Sequence, residues 1–513
     1  ARYSKKFSNQ ALEVLGGYTY QNFGWNTLNT GAQNFTTDAF GTDNMAAGTS
    51  SSFTINTFKS RNQLKSFLGR VNYTLNDKYL LTANFRADGS SRFGSENKYG
   101  YFPSIALGWH INRESFFNNA KAISTLKLRG SYGTTGNQEI GNYRSLVLLG
   151  TQGQAIFGNA AQVGISTTQL ANPDLKWETT QQLDIGIDFG ILDDRITGSV
   201  DYFNKKTKDL LLELPVPNTT GFGTTLTNIG SMKNHGVDVV INTVNIQKKL
   251  TWTSSLNFSV VKNEVTGIGG LPNIQQGSAG FFSNFSLLKV GLPLNSFYGY
   301  IVDGIIQTGE TYEAQPLSAP GELKFRDVNG DKTITAADRT ILGSPFPDFT
   351  YGINNSFSYG RFNLSFFWQG VKGGKILNLN ISESENPISF RRNRLSESYT
   401  DRWTPTNPTN ANSSGLAPKF AYVDASGTIN SRAVQSSSYF RLKNISVSYD
   451  IPSPKNNIFQ GAQVYFVAQN LITISNYNGY DPEVSSFGTS NVRVDYNAYP
   501  LAKIYTLGLN VKF

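Results

Sequence analysis

The chain has 513 residues, of which 39% are hydrophobic and 16% charged, with 49 Gly, 25 Tyr, 35 Phe, two His and no Cys. That composition excludes a disulfide framework and thiolate chemistry, and it is poor in the Leu, Ile, Val and Ala that a large soluble core needs. The net charge of +9 is scattered over turns and strand ends, so it marks no nucleic-acid stripe.

No stretch approaches the ~20 apolar residues of a membrane helix, whereas period-2 alternation recurs throughout. It begins at Leu12, Val14, Gly16, Tyr18 and Tyr20, almost directly after Ala1 and without a signal peptide, so the chain is expected to begin inside something larger. The clearest hairpin follows: Phe67 to Leu75, a turn at Asn76-Asp77-Lys78, then Tyr79 to Ala87. Single strands are predicted near Ile105–Ile111 and Leu126–Tyr132. A second hairpin runs from Leu183 to Phe189 and returns through Asp193-Asp194 to Ile196 and Tyr202. A third runs Val237 to Ile241, then Leu250 to Val260. Phe349 to Tyr359 and Phe362 to Trp368 form a fourth, with single strands near Ile445–Tyr449 and Val464–Ala468.

The final strand alternates to the last residue. Tyr505, Leu507, Leu509, Val511 and Phe513 share one face, while Ile504, Thr506, Gly508, Asn510 and Lys512 share the other. About fifteen such strands, apolar on one side and polar on the other, indicate an all-β fold, a large antiparallel transmembrane β-barrel. Tyr505, Leu507, Leu509, Val511 and Phe513 are its expected lipid-facing positions. Long Ser-, Thr-, Asn- and Gly-rich connections (30–52, 136–171, 267–286, 307–343, 370–438) read as exposed surface loops, where function concentrates.

Three groups in these connections carry candidate chemistry. Asp327, Asn329, Asp331, Thr333, Thr335 and Asp338 place oxygens at positions 1, 3, 5, 7, 9 and 12 of a calcium loop of EF-hand type, but Lys332 occupies the usual Gly position. The alternative is a self-capped Asx-turn loop without metal. Arg391, Arg392 and Arg394 precede Leu395, Tyr399 and Trp403 at helical spacing, either as a partner-binding helix or as one packed on its own barrel. Phe281, Phe282, Phe285, Tyr422 and Tyr477 are candidates for stacking on sugars or apolar side chains, or else for loop packing. His110 and His235 stand far apart, and Asp193-Asp194 sits in a tight turn, so no catalytic set is expected and the chain is not read as an enzyme.

Several blocks then identify a family. They are Arg86-Ala-Asp-Gly-Ser-Ser-Arg-Phe-Gly94 with Tyr99 to Ser104, Asn172-Pro-Asp-Leu-Lys-Trp-Glu178, and Phe297-Tyr-Gly-Tyr300 with Asp303-Gly-Ile305. Asp327 to Asp331, Asp401-Arg-Trp-Thr-Pro405, Ser438 to Asn444, Ala468-Gln-Asn-Leu471 and Gly479 to Glu483 follow. In this order they resemble the C-terminal barrel part of the SusC/RagA family of TonB-dependent outer-membrane transporters. The resemblance implies a barrel of ~22 strands when complete, with this chain, residues 1–513, supplying roughly the last two-thirds of the strands. It also implies an N-terminal plug outside this chain, integral residence in the outer membrane of Bacteroidetes-type bacteria, and import of an oligosaccharide or peptide. Implied partners are TonB, outer-membrane lipid and a SusD-like surface lipoprotein acting as lid, with no nucleic acid; no cofactor is required beyond the calcium reading above. A siderophore or vitamin receptor, or a surface binding protein that transports nothing, are the alternative readings.

Overall fold

The computed structural model describes residues 1–117, 120, 122–158, 160–280, 282–385, 396, 400, 402–410, 429–452, 461–484 and 493–512. Fifteen strands form one sheet in chain order. They are β1 (Arg2–Lys6), β2 (Gln10–Gly31), β3 (Thr54–Leu75), β4 (Tyr79–Ser90), β5 (Tyr99–His110), β6 (Ile123–Asn137), β7 (Glu178–Ile191) and β8 (Ile196–Pro215). The order continues through β9 (Thr224–Gln247), β10 (Leu250–Ile268), β11 (Phe349–Tyr359), β12 (Phe362–Lys372), β13 (Tyr439–Ile451), β14 (Gly461–Ser475) and β15 (Ile504–Lys512).

Every strand expected from alternation is present, and the tight turns explain the register. Asn76 and Asp77 both adopt positive φ, at 54° and 55°, the left-handed geometry of a tight turn that Lys78 N–H closes by donating to the Leu75 carbonyl (3.0 Å). Leu75 then pairs with Tyr79 and Phe67 with Ala87. His110 and His235 lie in separate strands. The strands are longer than the 10–12 residues that cross a bilayer: β2 and β3 have 22 each and β9 has 24.

Contacts divide the chain into two units. In the first (residues 1–108, 131–183 and 207–230), β2, β3 and β4 pair in register from Gln10 to Ser90. One face exposes Tyr18, Phe67, Val71 and Phe85; the other is hydrogen-bonded polar surface. In the second (109–130, 184–206 and 231–513), β10 to β15 repeat the pattern. Tyr505, Leu507, Leu509 and Val511 are 60%, 78%, 61% and 39% exposed and pair with Ala468, Phe466, Val464 and Ala462. Phe513 lies outside the described residues.

The long connections, read from sequence as exposed surface loops, contain strands of their own, some exposed and some buried. Residues 148–169 form a hairpin, Leu148–Phe157 against Ala160–Gln169. Ile274–Ala279 and Phe282–Leu288 belong to a four-stranded sheet with Ser296–Gly299 and Thr340–Gly343. Their polar composition hid widely spaced apolar residues that meet only in three dimensions.

Candidate functional site

One face of the sheet carries its hydrogen-bonding side chains. In the first unit, Arg70 donates to Asn84 (2.6 Å), Asn84 to Ser104 (3.1 Å) and Thr82 to Asn72 (2.9 Å). Arg86 donates to Asp88 (2.6 Å) and Ser66 (3.1 Å). Alternation puts all of these on one side of the sheet, where Arg86 is paired with Asp88 while Arg70 donates to a neutral amide and keeps its charge. Above them Phe93, Phe102, Ile140, Leu175 and Trp177 close a small core, and Trp177 Nε1 donates to the Lys98 carbonyl (3.0 Å). Gly94 is required there, because a Cβ would stand 2.0 Å from the Pro173 carbonyl oxygen.

The second unit carries the same chemistry with more charge. Gly186 leaves room for the Arg129 guanidinium, which donates to Asp188 (3.0 Å) and Asp201 (2.7 Å) and stands 3.6 Å from Asp184. Along β10 to β13 the polar face is hydroxyl-lined by Thr251, Thr253, Ser356, Ser365, Ser446 and Ser448. Asp194 accepts from Ser124 (2.5 Å), and Asp193 and Asp194 both hold the positive φ of a turn.

The candidate loop residues fall into clear groups. Phe282 and Phe285 are 1% exposed, packed with Phe297, Leu377, Leu379 and Val494. Trp403 is buried beside Tyr300 and Phe325 and donates Nε1 to Gln307 (2.9 Å). Both belong to loop packing, not to an exposed stacking surface. Phe281, Tyr422, Arg391, Arg392, Arg394, Leu395 and Tyr399 lie outside the described residues.

Tyr477 is buried and donates its hydroxyl to Asp495 (2.5 Å). Burial first, then that hydrogen bond, hold its pKa well above the ordinary phenol value. A raised folded-state value favours folding below the free phenol pKa of ~10 and loses that contribution as pH climbs beyond it. Thermal melts from neutral to strongly alkaline pH are therefore expected to fall more steeply for the wild type than for Tyr477→Phe. At neutral pH the variant is expected to be less stable by about 1–3 kcal/mol, because Asp495 Oδ2 loses the Tyr477 hydroxyl while Oδ1 keeps Asn380 and Ala498.

In the Asp327 loop, the side-chain oxygens serve the backbone. Asp327 accepts from Gly330 (2.7 Å) and Lys332 (2.8 Å), Asn329 from Asp331 (3.0 Å) and Asp331 from Thr333 (2.9 Å). Asp338, fully buried, accepts from Val328 (2.8 Å) and Thr335 (2.7 Å), while Thr335 caps the short turn after it. Lys332 takes φ 62°, the left-handed conformation usually left to Gly. The side-chain oxygens of Asp327, Asn329, Asp331, Thr335 and Asp338 thus accept backbone N–H groups within the loop, as in Asx-type turns.

Sequence reading gave no hint that two separated blocks meet. Arg441, whose side chain is 2% exposed, donates to Asp481 (2.6 Å) and Glu483 (2.6 Å), and Lys443 reaches Glu483 (2.6 Å). The blocks Ser438 to Asn444 and Gly479 to Glu483 are one buried ionic cluster. The signal available was a pair of charged motifs of opposite sign, but nothing in either said that they touch.

A family model described as "TonB dependent receptor-like, beta-barrel" matches residues 2–512. TonB-dependent receptor P3 of Formosa agariphila is 36% identical over 528 residues, covering 100% of this chain and 51% of that protein. TonB-dependent receptor SusC of Bacteroides thetaiotaomicron is 33% identical over 472 residues, covering 89% and 44%. The solved RagAB peptide transporter superimposes with a TM-score of 0.85 at 26% identity, over 100% of this chain and 54% of that one. The chain thus spans about half the length of the curated relatives it matches. With two-faced strands in chain order and a barrel family matched across nearly all of them, the chain belongs to the TonB-dependent receptors, as part of an integral outer-membrane β-barrel of the SusC/RagA type.

Proposed function

We propose that the whole protein imports a bulky nutrient, an oligosaccharide or a peptide, through this barrel, energised through TonB and gated by a SusD-like surface lipoprotein. The observation that carries the reading is the division of labour across the strands. Tyr18, Phe67, Phe85, Leu507 and Leu509 offer an exposed apolar face to hydrocarbon, while Asn84, Ser104, Ser356 and Ser446 line the opposite face with neutral hydrogen-bonding groups. Such a wall solvates a polar cargo without trapping it, because each contact is weak and replaceable by water. The similarity to a solved peptide transporter supports the peptide reading, and the neutral hydroxyls and amides named above suit either cargo.

The test is purification of the intact protein from its own membrane in mild detergent, followed by identification of co-purifying proteins and small molecules. A surface lipoprotein and an oligosaccharide or peptide are expected, and uptake of that ligand should stop in cells lacking TonB. Repeated isolation without any lipoprotein would remove the lid, and uptake unaffected by loss of TonB would remove energised import. A ferric or cobalt chelate as the bound ligand would favour a siderophore or vitamin receptor instead.

A further inference from the structure

The outward faces of three neighbouring strands change character at one level. On β8 the outward positions run Ile196, Val200 and Tyr202, then Asn204 and Lys206. On β9 they run Ile241, Val239 and Val237, then His235 and Lys233. On β10 Leu256, Phe258 and Val260 give way to Lys262, with one carboxylate, Glu264, beyond it.

Contacts on the opposite face fix the alignment. Ser259 donates to Asp238 (2.5 Å), Asn263 to Asn234 (2.7 Å), and a Cβ on Gly236 would stand 2.7 Å from the Phe203 ring. The next positions along, Asn204, His235 and Lys262, therefore form one row on the outward face.

That row sits at the edge of the apolar band. It lies nine to twelve residues from the tight turns at Asp193–Arg195 and Gln247–Leu250. At ~3.3 Å per residue and a tilt of ~40°, this is ~23–30 Å along the membrane normal, against an apolar band ~25 Å tall. Aromatic side chains mark the same level independently: Phe258 and Phe349 are 5.4 Å apart, Tyr351 and Phe440 5.9 Å, and Trp368 and Phe440 4.5 Å. Such belts settle where headgroups begin.

Lys206, Lys233 and Lys262 enter no ion pair among the described residues. In the same row the Asn204 Oδ1 and His235 Nδ1 atoms are buried and lack a hydrogen-bond partner. Three uncompensated ammonium groups at headgroup level, beside two unsatisfied polar atoms, complement a phosphate whose neighbouring hydroxyls can donate. We propose that Lys206, Lys233 and Lys262, with Asn204 and His235, form a binding site for a phosphorylated lipid headgroup of the surrounding outer leaflet. This site needs the membrane setting only and is separate from import through the lumen.

The experiment is native mass spectrometry of the full-length protein, delipidated and then titrated with bis-phosphorylated lipid A or with its dephosphorylated form. The wild type is expected to retain the phosphorylated form at least ~tenfold better. The triple variant Lys206→Gln, Lys233→Gln, Lys262→Gln should lose that preference, and the matching Lys→Arg triple should keep it. Equal retention of both lipids by the wild type, which requires no variant, would overturn the site. So would an unchanged preference in a folded Gln triple, or displacement of the lipid by millimolar inorganic phosphate, which would mark a free-anion site.

Discussion

Arg441→Leu is expected to destabilise the protein by about 3–5 kcal/mol, because it leaves Asp481 buried without a cation and Glu483 with Lys443 alone. Asp481 and Glu483 each accept a 2.6 Å charge-assisted bond from Arg441, and Lys443 alone reaches only Glu483. The Arg441 guanidinium also lies 5.4 Å from the Tyr439 ring centroid, so an aliphatic replacement forfeits a cation–π contact. Asp481 further accepts from the Glu483 amide (2.8 Å) and the Leu501 amide (3.3 Å), so the cluster holds the approach to β15. Thermal melts in detergent should show the loss, and limited proteolysis should cut first between β14 and β15. Adding Asp481→Asn and Glu483→Gln to Arg441→Leu should recover much of it, since the penalty is the stranded charge. If the triple variant is no more stable than Arg441→Leu, the cluster acts by shape and not by charge.

The second large effect is expected at Trp177. Trp177→Ala should cost about 3–5 kcal/mol, in the range of large-to-small aromatic substitutions in a core. The ring lies 5.3 Å from Phe93 and 5.4 Å from Phe102, and its Nε1–H occupies the Lys98 carbonyl. A collapse to refill the space is opposed by the backbone, since Gly94 already touches Pro173 and Gly100 lies against the Phe102 and Trp177 rings. Trp177→Phe should recover most of the packing and lose only the hydrogen bond, worth about 1 kcal/mol. Comparison of denaturation midpoints for the two variants checks this. Equal losses would mean that the indole N–H, not the ring volume, carries the contribution.

These two residues show how unevenly structure is written in the chain. Arg441 and Trp177 each stand in a motif that marked the family, yet no local pattern said what either one touches. Arg441 finds Asp481 forty residues away, and Trp177 finds Lys98 seventy-nine residues away. By contrast, β3 and β4 were legible from Phe67 to Ala87, because strand period and turn chemistry are properties of adjacent residues. The lysines at positions 206, 233 and 262 lie between these cases. Each outward switch from apolar to cationic can be read on its own strand, but their alignment in one row required the contacts of Asp238, Asn234 and Gly236.

What the sequence by itself determined was the two-faced strand and its tight hairpin turns, since a side chain's face follows from counting by two. Tertiary structure alone decided that Phe282, Phe285 and Trp403 are buried in folded connections and that opposite charges in distant motifs meet. Those contacts depend on loop closure over tens of residues, and alternation along a strand carries no information about which distant partner closes the loop.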